Sequence, residues 1–415
     1  MKSKLLLIAL CALLASSAFA FGQQATVAYT FVCNGKKTGP CPQGANPNSL
    51  IQASDGNFYG TAANSGTKAG GFTLFGGTVF SLTSAGKFTL LHTFTAGPKN
   101  NFRNGADPVS LTEGPDGKLY GLTAEGGIDF VVNQFDGYGV LFRVNKNGSG
   151  FQVLHKFCSV ELFVCLDGSE PLGPLVVGGD GNIYGTTFEG GDKVCLCGEI
   201  FRITPSTGAF DVVLPFTSVS RGGFPTAMVG AGDGSLYGLS QAGLSHYIPA
   251  TGTFGAAALP FDFPTGCPGL ACLATPQFAF GPNGNFYGFY TVYGAPGDSG
   301  LYEVQPDGGD FQLFSLFTTV TGGGAGLLSA SDGNFWSPRS VGSNADGDIL
   351  KLSPSDGSLL QTLTPFSATV SNPVEILEAA DGTLWGVGGG SGTVSGSGHF
   401  SGGTVFSLNV GLPPR

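Results

Sequence analysis

"TVAYTF" (residues 26–31) reads as the end of a unit whose beginning is missing. Similar segments occur at "LLHTF" (90–94), "VLHKF" (153–157) and "VVLPF" (212–216), and each of those closes a longer repeat. No such repeat precedes residue 26, so the reading of this segment depends on the units that follow.

Each unit is marked by a turn and an aromatic residue: "SDGNFYG" (54–60), "PDGKLYG" (115–121), "GDGNIYG" (179–185), "GDGSLYG" (232–238), "PNGNFYG" (282–288), "SDGNFWS" (331–337) and "ADGTLWG" (380–386). Asp-Gly or Asn-Gly between apolar runs predicts a hairpin of type I′, with positive φ at both central residues. The aromatic column is Tyr59, Tyr120, Tyr184, Tyr237, Tyr287, Trp336 and Trp385, and it takes both tryptophans of the chain. A glycine-rich loop follows, then a strand such as "GGTVFSL" (76–82) or "GEIFRIT" (198–204), a second turn, and a strand ending in Phe. Period-two alternation places Phe80, Phe142, Phe201, Tyr302 and Phe406 on one face of that third strand, with Arg143, Arg202, Glu303 and Lys351 on the other. Ser245 and Leu350 interrupt the aromatic set.

A unit therefore holds four antiparallel strands, A to D, which is the content of a propeller blade. Strand D ends at Phe94, Phe157, Phe216, Phe261, Phe317 and Phe366, giving six endings for seven turns. The seventh unit stops at "TVFSLNVGLPPR" (404–415), and Phe31 supplies the missing ending. The expected fold is all-β: a seven-bladed β-propeller of four-stranded antiparallel blades, closed by the N-terminal strand pairing with the last blade. An open array would leave a bare strand edge.

The first twenty residues have the parts of a signal peptide: Lys2 and Lys4, an apolar run from Leu5 to Leu14, and Ala18-Phe19-Ala20. The expected domains are a signal peptide over 1–20 and the propeller over 21–415. The apolar run is too short to span a bilayer, and no later segment is a candidate span. Cys11 lacks a preceding small residue, which argues against a lipid anchor. The formal net charge is −10, which disfavours nucleic acid and anionic lipid as partners. Only 11% of residues are charged, but 71 glycines and 35 phenylalanines point to short strands and tight turns rather than disorder. The expected product is a monomer that is secreted, periplasmic or on the outer cell surface.

Up-and-down blades put the short A–B and C–D turns on one face and the long B–C and D–A connections on the other, where function usually sits. All eight cysteines after the signal fall on the long-loop face: Cys33, Cys41, Cys158, Cys165, Cys195, Cys197, Cys267 and Cys272. An even count in an exported chain reads as disulfides. Cys33–Cys41 and Cys267–Cys272 are expected as local clips. Cys158 and Cys165 are expected to cross to Cys195 and Cys197, since a bridge within "CLC" is strained. Zinc is disfavoured because no C-x-x-C pair or nearby histidine is present.

His92 and His155 hold matching places in two D strands and read as structural, His246 lies on a C strand, and His399 sits in a glycine-rich loop. No Ser/His/Asp or Cys/His set can be assembled. The entry to strand A is more informative, because Asn46, Asp107, Glu170, Thr275 and Asn372 each precede a proline and could converge at the mouth of the central channel. Such oxygen-rich convergence suits Ca²⁺, Mg²⁺ or sugar hydroxyls. The same dipeptides also simply start turns. Glu125 and Glu189 begin adjacent B–C loops, where they could act as a carboxylate pair or be solvated repeat equivalents.

With "GGTVFSL" (76–82 and 402–408), "DGNFYGTA" (55–62) and "DGNIYGTT" (180–187), the chain resembles the GloVer tandem-repeat proteins, which are exported bacterial proteins. The resemblance covers nearly all of the chain after the signal. It departs from the pattern at Ser245, Ser337 and Leu350. It implies a propeller and supplies no catalytic residues. More distantly, "DGTLWG" (381–386) is similar to the blade turns of streptogramin lyase and gluconolactonase-like propellers. The function expected is a non-catalytic binding module for glycan or surface protein, without a required cofactor. The alternative is a lyase or hydrolase with a carboxylate-lined, metal-dependent site at the channel mouth.

Overall fold

The computed structural model describes residues 24–33, 41–64, 67–69, 72–74, 76–95, 102–128, 137–161, 164–218, 223–240, 243–258, 278–291, 299–317, 326–340, 346–367, 372–389, 392–393 and 400–415. The signal segment, Phe261, Cys267, Cys272, Thr275 and His399 lie outside the described residues.

The described strands form seven blades, each with the antiparallel order A-B-C-D. In blade 1 these are Ala45–Gln52, Phe58–Asn64, Thr78–Leu82 and Phe88–Thr93. In blade 7, strands A to C are Pro373–Glu378, Leu384–Gly388 and Phe400–Leu408, and strand D is Thr26–Cys33 from the start of the chain. Its register pairs Val27 with Phe406 and Thr30 with Thr404. Gly392–Thr393 adds a short segment beside Phe400–Leu408, and Thr67–Ala69 pairs with Phe72–Leu74 in the B–C loop of blade 1. "TVAYTF" is thus the last strand of the last blade.

The A–B turns differ from the expected type. Gly56 has φ 79°, but Asp55 does not have positive φ, so the turn is not type I′. The Gly56 N–H donates to the Ala53 carbonyl at 2.9 Å, and the Asp55 carboxylate accepts from the Asn57 N–H at 3.1 Å. The aspartate closes its own turn, which leaves only glycine in the left-handed region. The same carboxylate explains the aromatic column: the Tyr59 hydroxyl donates to Asp55 at 2.8 Å, Tyr120 to Asp116 at 3.0 Å and Tyr184 to Asp180 at 2.8 Å. In blade 6 the Trp336 indole N–H points at Asp332 across 3.4 Å. A buried ring with a polar tip reaching the turn is what Tyr and Trp provide and Phe does not.

Three contacts recur between consecutive blades. The terminal Phe of strand D packs edge-on or tilted against the central Phe of the next blade's strand C: Phe94 on Phe142 (centroids 5.3 Å), Phe157 on Phe201 (5.4 Å) and Phe366 on Phe406 (5.0 Å). On the long-loop side, the proline opening strand A lies over the glycine preceding the previous blade's strand C. A Cβ on Gly77 would sit 2.2 Å from Pro108, and one on Gly347 would sit 2.6 Å from Pro373. On the other side, the residue ending strand A caps the previous blade's turn, as Glu113 does for the Ser54 N–H at 2.6 Å and Glu378 for the Ser331 N–H at 2.9 Å.

All three recur at the closure between blade 7 and blade 1. Phe31 meets Phe80 at 5.2 Å, a Cβ on Gly403 would lie 2.4 Å from Pro47, and Gln52 accepts the Ala380 N–H at 2.8 Å. A further bond joins the innermost strands, where Glu375 accepts the Leu50 N–H at 2.9 Å.

Phe31 is fully buried. Phe31→Ala should therefore cost about 3–5 kcal/mol in urea unfolding, as for other buried Phe truncations. A loss below about 1 kcal/mol would contradict closure through this ring. Gly403→Ala should also destabilise, because the residue has φ 114° and its Cβ would clash with Pro47.

Candidate functional site

The residues at the entry to strand A share a backbone state that the sequence did not announce. Asn46, Asp107, Glu170 and Asn372 have φ of 54°, 53°, 56° and 52°, and Phe224 in blade 4 has 57°. Each precedes a proline, and Pro47, Pro108, Pro171 and Pro373 lock onto the neighbouring blade's glycine. The left-handed region costs little for Asn and Asp but is strained for Phe and Glu. Repetition of this state gives Asn46, Asp107 and Asn372 a structural reason for their identity, alongside any role toward a ligand. No hydrogen bond or ion pair joins Asn46, Asp107, Glu170 and Asn372 to one another among the described residues.

The structure does bring together two carboxylates from different sets. Ser169 bridges Glu189, and the Phe188 N–H donates to the Glu170 carbonyl at 3.0 Å, so the blade 3 entry and the B–C loop run side by side. Burial raises the Glu170 carboxyl above its usual value, and the charge of Glu189 raises it further. Burial alone raises Asp107. Glu125 and Glu189 hold equivalent places, since Thr123 and Thr187 donate to their backbone carbonyls at 2.8 and 3.0 Å. Beside the Glu170–Glu189 pair, the half-buried rings of Phe188 and Phe224 meet at 5.3 Å. Sequence reasoning had passed over both rings, because nothing in "FEGG" or "GGFP" distinguishes a loop aromatic from a core one.

The cysteines correct one expectation. Cys33–Cys41 forms as expected, but Cys158 bonds Cys165 and Cys195 bonds Cys197, so the cross-pairing is overturned. Leu196 has φ 54°, which turns the chain between its neighbours, and the Cys195 and Cys197 Cα atoms lie 5.0 Å apart. Cys158 and Cys165 also adopt positive φ, which closes a compact loop around Asp167. The two loops then meet through other bonds: Gly191 N–H to the Cys165 carbonyl at 2.8 Å, and Lys193 to Glu161 at 2.6 Å.

Beneath these loops lies a buried polar group missed by the sequence reading. The Asp167 carboxylate accepts from the Ser159 N–H and hydroxyl and the Val160 N–H, and lies 3.1 Å from His155 Nε2. Burial opposes its ionisation, but these donors hold it below the usual carboxylate range. Glu199, at the start of blade 3's strand C, is fully buried, with no hydrogen-bond partner for either oxygen among the described residues. Burial, reinforced by Asp167, pushes its carboxyl up to about 9. Its equivalents are Thr78, Val140, Gly243, Gly300, Asp348 and Thr404. Asp348 is acidic too but is ion-paired with Arg339 across from it, where Glu199 faces Thr187, so an acid without that opposing arginine was the signal available. The inner strands likewise push Glu375 up to about 7.

The histidines on strand D are structural as expected. His92 stacks on Phe151 and His155 on Phe210, both with centroids at 3.6 Å, and burial lowers His92 to about 4. Among the described residues, no three His, Cys, Asp or Glu side chains group as metal ligands, and no helix is long and apolar enough to cross a membrane.

Two outcomes follow from this chemistry. Peptide mapping without reduction should recover Cys158–Cys165 and Cys195–Cys197, and fragments crossing between the two loops would refute the assignment. Glu199 ionises near 4.5 when unfolded and near 9 when folded. Its stability contribution is therefore complete below about pH 4.5 and is lost as pH rises toward 9. The urea midpoint should fall from pH 5 to pH 8.5, and fall less in Glu199→Gln.

Residues 18–253 match the Gloeobacter/Verrucomicrobia repeat family, and the chain belongs to it. Comparison with curated proteins finds no match. In fold, it is similar to the extracellular domain of a protein assigned as a one-component system of B. thetaiotaomicron. That likeness has 12% identity and a TM-score of 0.51, covering 94% of this chain and 40% of that one. This chain thus spans well under half the length of that relative. It is also similar to oligogalacturonate lyase of Vibrio parahaemolyticus, with 11% identity, a TM-score of 0.53 and coverage of 94% and 95%. A third likeness is to YCF48 bound to D1 peptide, with 12% identity, a TM-score of 0.52 and coverage of 94% and 97%. At these identities the likeness is one of fold.

Proposed function

We propose that this member of the Gloeobacter/Verrucomicrobia repeat family is an exported binding module whose long-loop face receives a protein or glycan partner. One observation carries the reading: the described disulfides all clip loops of that face, and in blade 3 two clipped loops are tied to each other. The opposite face has short turns closed by their own aspartates. Disulfides support an oxidising compartment outside the cytoplasm. Rigid loops on a closed ring lose little freedom on binding, which favours recognition.

The enzyme reading has one observation of its own, because Asp107 and Glu170 are carboxyls held above their usual range beside the mouth. A lyase or hydrolase could use such a group as general acid.

The two are separated by assaying acidic and neutral polysaccharides for both retention and depolymerisation, with and without Ca²⁺. The binding reading expects retention of a ligand without new chain ends, weakened by loop-face substitutions and not by Asp356→Asn on the short-turn face. Turnover lost in Asp107→Asn or Glu170→Gln would overturn it in favour of the enzyme.

A further inference from the structure

Among the described residues, the exposed large apolar side chains fall into two groups, with Val177 apart from both at the end of blade 3's strand A. Val27, Leu90, Val212, Leu313, Leu359 and Leu360 are spread along the outer D strands of five blades, where such exposure is ordinary. The second group is confined to the long-loop side of blade 3: Val194 is 89% exposed, Val160 47%, Leu172 46% and Leu196 37%. Loop tips are normally polar, and here three of the four lie on disulfide-clipped loops. Lys193–Glu161 and the Gly191–Cys165 bond join those loops, and the Phe224 N–H donates to the Cys197 carbonyl at 2.6 Å to anchor them to blade 4. The apolar tips are therefore held in place before any partner arrives.

The rim of this patch is acidic. Glu161, Glu170, Glu189 and Asp192 lie on the same loops as the apolar tips, and the described cation on these loops, Lys193, is already paired with Glu161. Asp192 holds the loop by accepting the Val194 and Cys195 N–H groups at 2.7 and 2.8 Å. Glu170 and Glu189 lie close enough to repel, and a positive charge between them would relieve that repulsion. The Phe188 and Phe224 rings beside them offer faces that attract a cation.

Resting on the binding-module reading above, we infer that blade 3 docks a polypeptide segment that is both basic and apolar. Charge complementarity selects the sign, because anionic lipid, nucleic acid and acidic peptides would all meet the carboxylates of Glu170, Glu189 and Asp192 beyond the Glu161–Lys193 pair. Aliphatic tips select the class. Val and Leu offer no hydrogen bond to sugar hydroxyls, but they do bury aliphatic side chains. The carboxylates would take up Lys or Arg side chains, while Val194 and Leu196 pack against the apolar positions between them.

The test uses the full exported chain and three fluorescein-labelled 15-residue synthetic peptides of alternating Lys/Leu, Glu/Leu and Lys/Ser. Anisotropy titrations run at low and high salt. The Lys/Leu peptide should bind at least tenfold more tightly than either of the others and weaken with salt. Val194→Ser, Leu196→Ser and Glu189→Gln should each weaken it at least fivefold. Leu360→Ser, an equal apolar loss at a side chain 52% exposed on the blade 6 outer strand, should change it less than twofold. Equal binding of Lys/Leu and Lys/Ser, or indifference to the blade 3 substitutions, overturns the inference. So does binding to phosphatidylserine vesicles in place of the peptide. If a polysaccharide binds, no peptide does, and Val194→Ser abolishes that binding, the partner class falls while the binding-module reading stands. If no loop-face substitution alters any binding, both fall.

Discussion

The ring depends on a packing event repeated at the joints between blades 1 and 2, 2 and 3, 6 and 7, and 7 and 1, in which the terminal Phe of the outer strand inserts against the central Phe of the next blade. A four-stranded blade buries little by itself, since both faces of its sheet are apolar and neither is covered. Coverage comes only from neighbours, so the last blade must find the first. Phe31 against Phe80 completes that requirement, and the glycine–proline and turn-capping contacts recur at the same joint on either side of the ring. Closure is therefore made from the same parts as the joints between blades 1 and 2 and between blades 6 and 7, with the additional Glu375–Leu50 bond joining the innermost strands.

That joint also fixes the character of the long-loop face. Beside these locking prolines the preceding residue takes the same left-handed backbone in blades 1, 2, 3 and 7, a state that favours Asn and Asp. Blades 3 and 4 depart from this preference with Glu170 and Phe224, where the strain is larger. The same two blades carry the tied disulfide loops, the acidic pair, the loop aromatics and the exposed aliphatic tips. Departures from a repeat's local rule gather where selection acts on something other than the repeat. This concentration of exceptions in one sector adds to the support that the clipped loops give the functional reading.

The buried carboxyl of Glu199 belongs to the same sector. It sits beneath the Cys158–Cys165 loop, near an ionised Asp167 that is itself held by three backbone and hydroxyl donors and faced by His155. A protonated Glu199 beside an ionised Asp167 leaves one negative charge there rather than two, as low-dielectric burial favours.

The blades, their strand order and the role of "TVAYTF" were legible in the sequence, because period-two alternation and the Asp-Gly turns are local signals repeated seven times. Repetition let a missing strand be counted. The turn type was misread, since the aspartate's bond to its own backbone competes with the left-handed conformation that Asp-Gly alone implies. The disulfide partners were also misread: "CLC" excludes a bridge only while Leu196 is assumed to be extended, and its left-handed φ is imposed by the surrounding loops. Only the tertiary structure could bring Glu170 to Glu189, place Glu199 over Asp167 and leave Val194 and Leu196 uncovered. Those relations join residues 19 to 32 positions apart across loops of irregular length, where no periodicity carries information about which side chains meet.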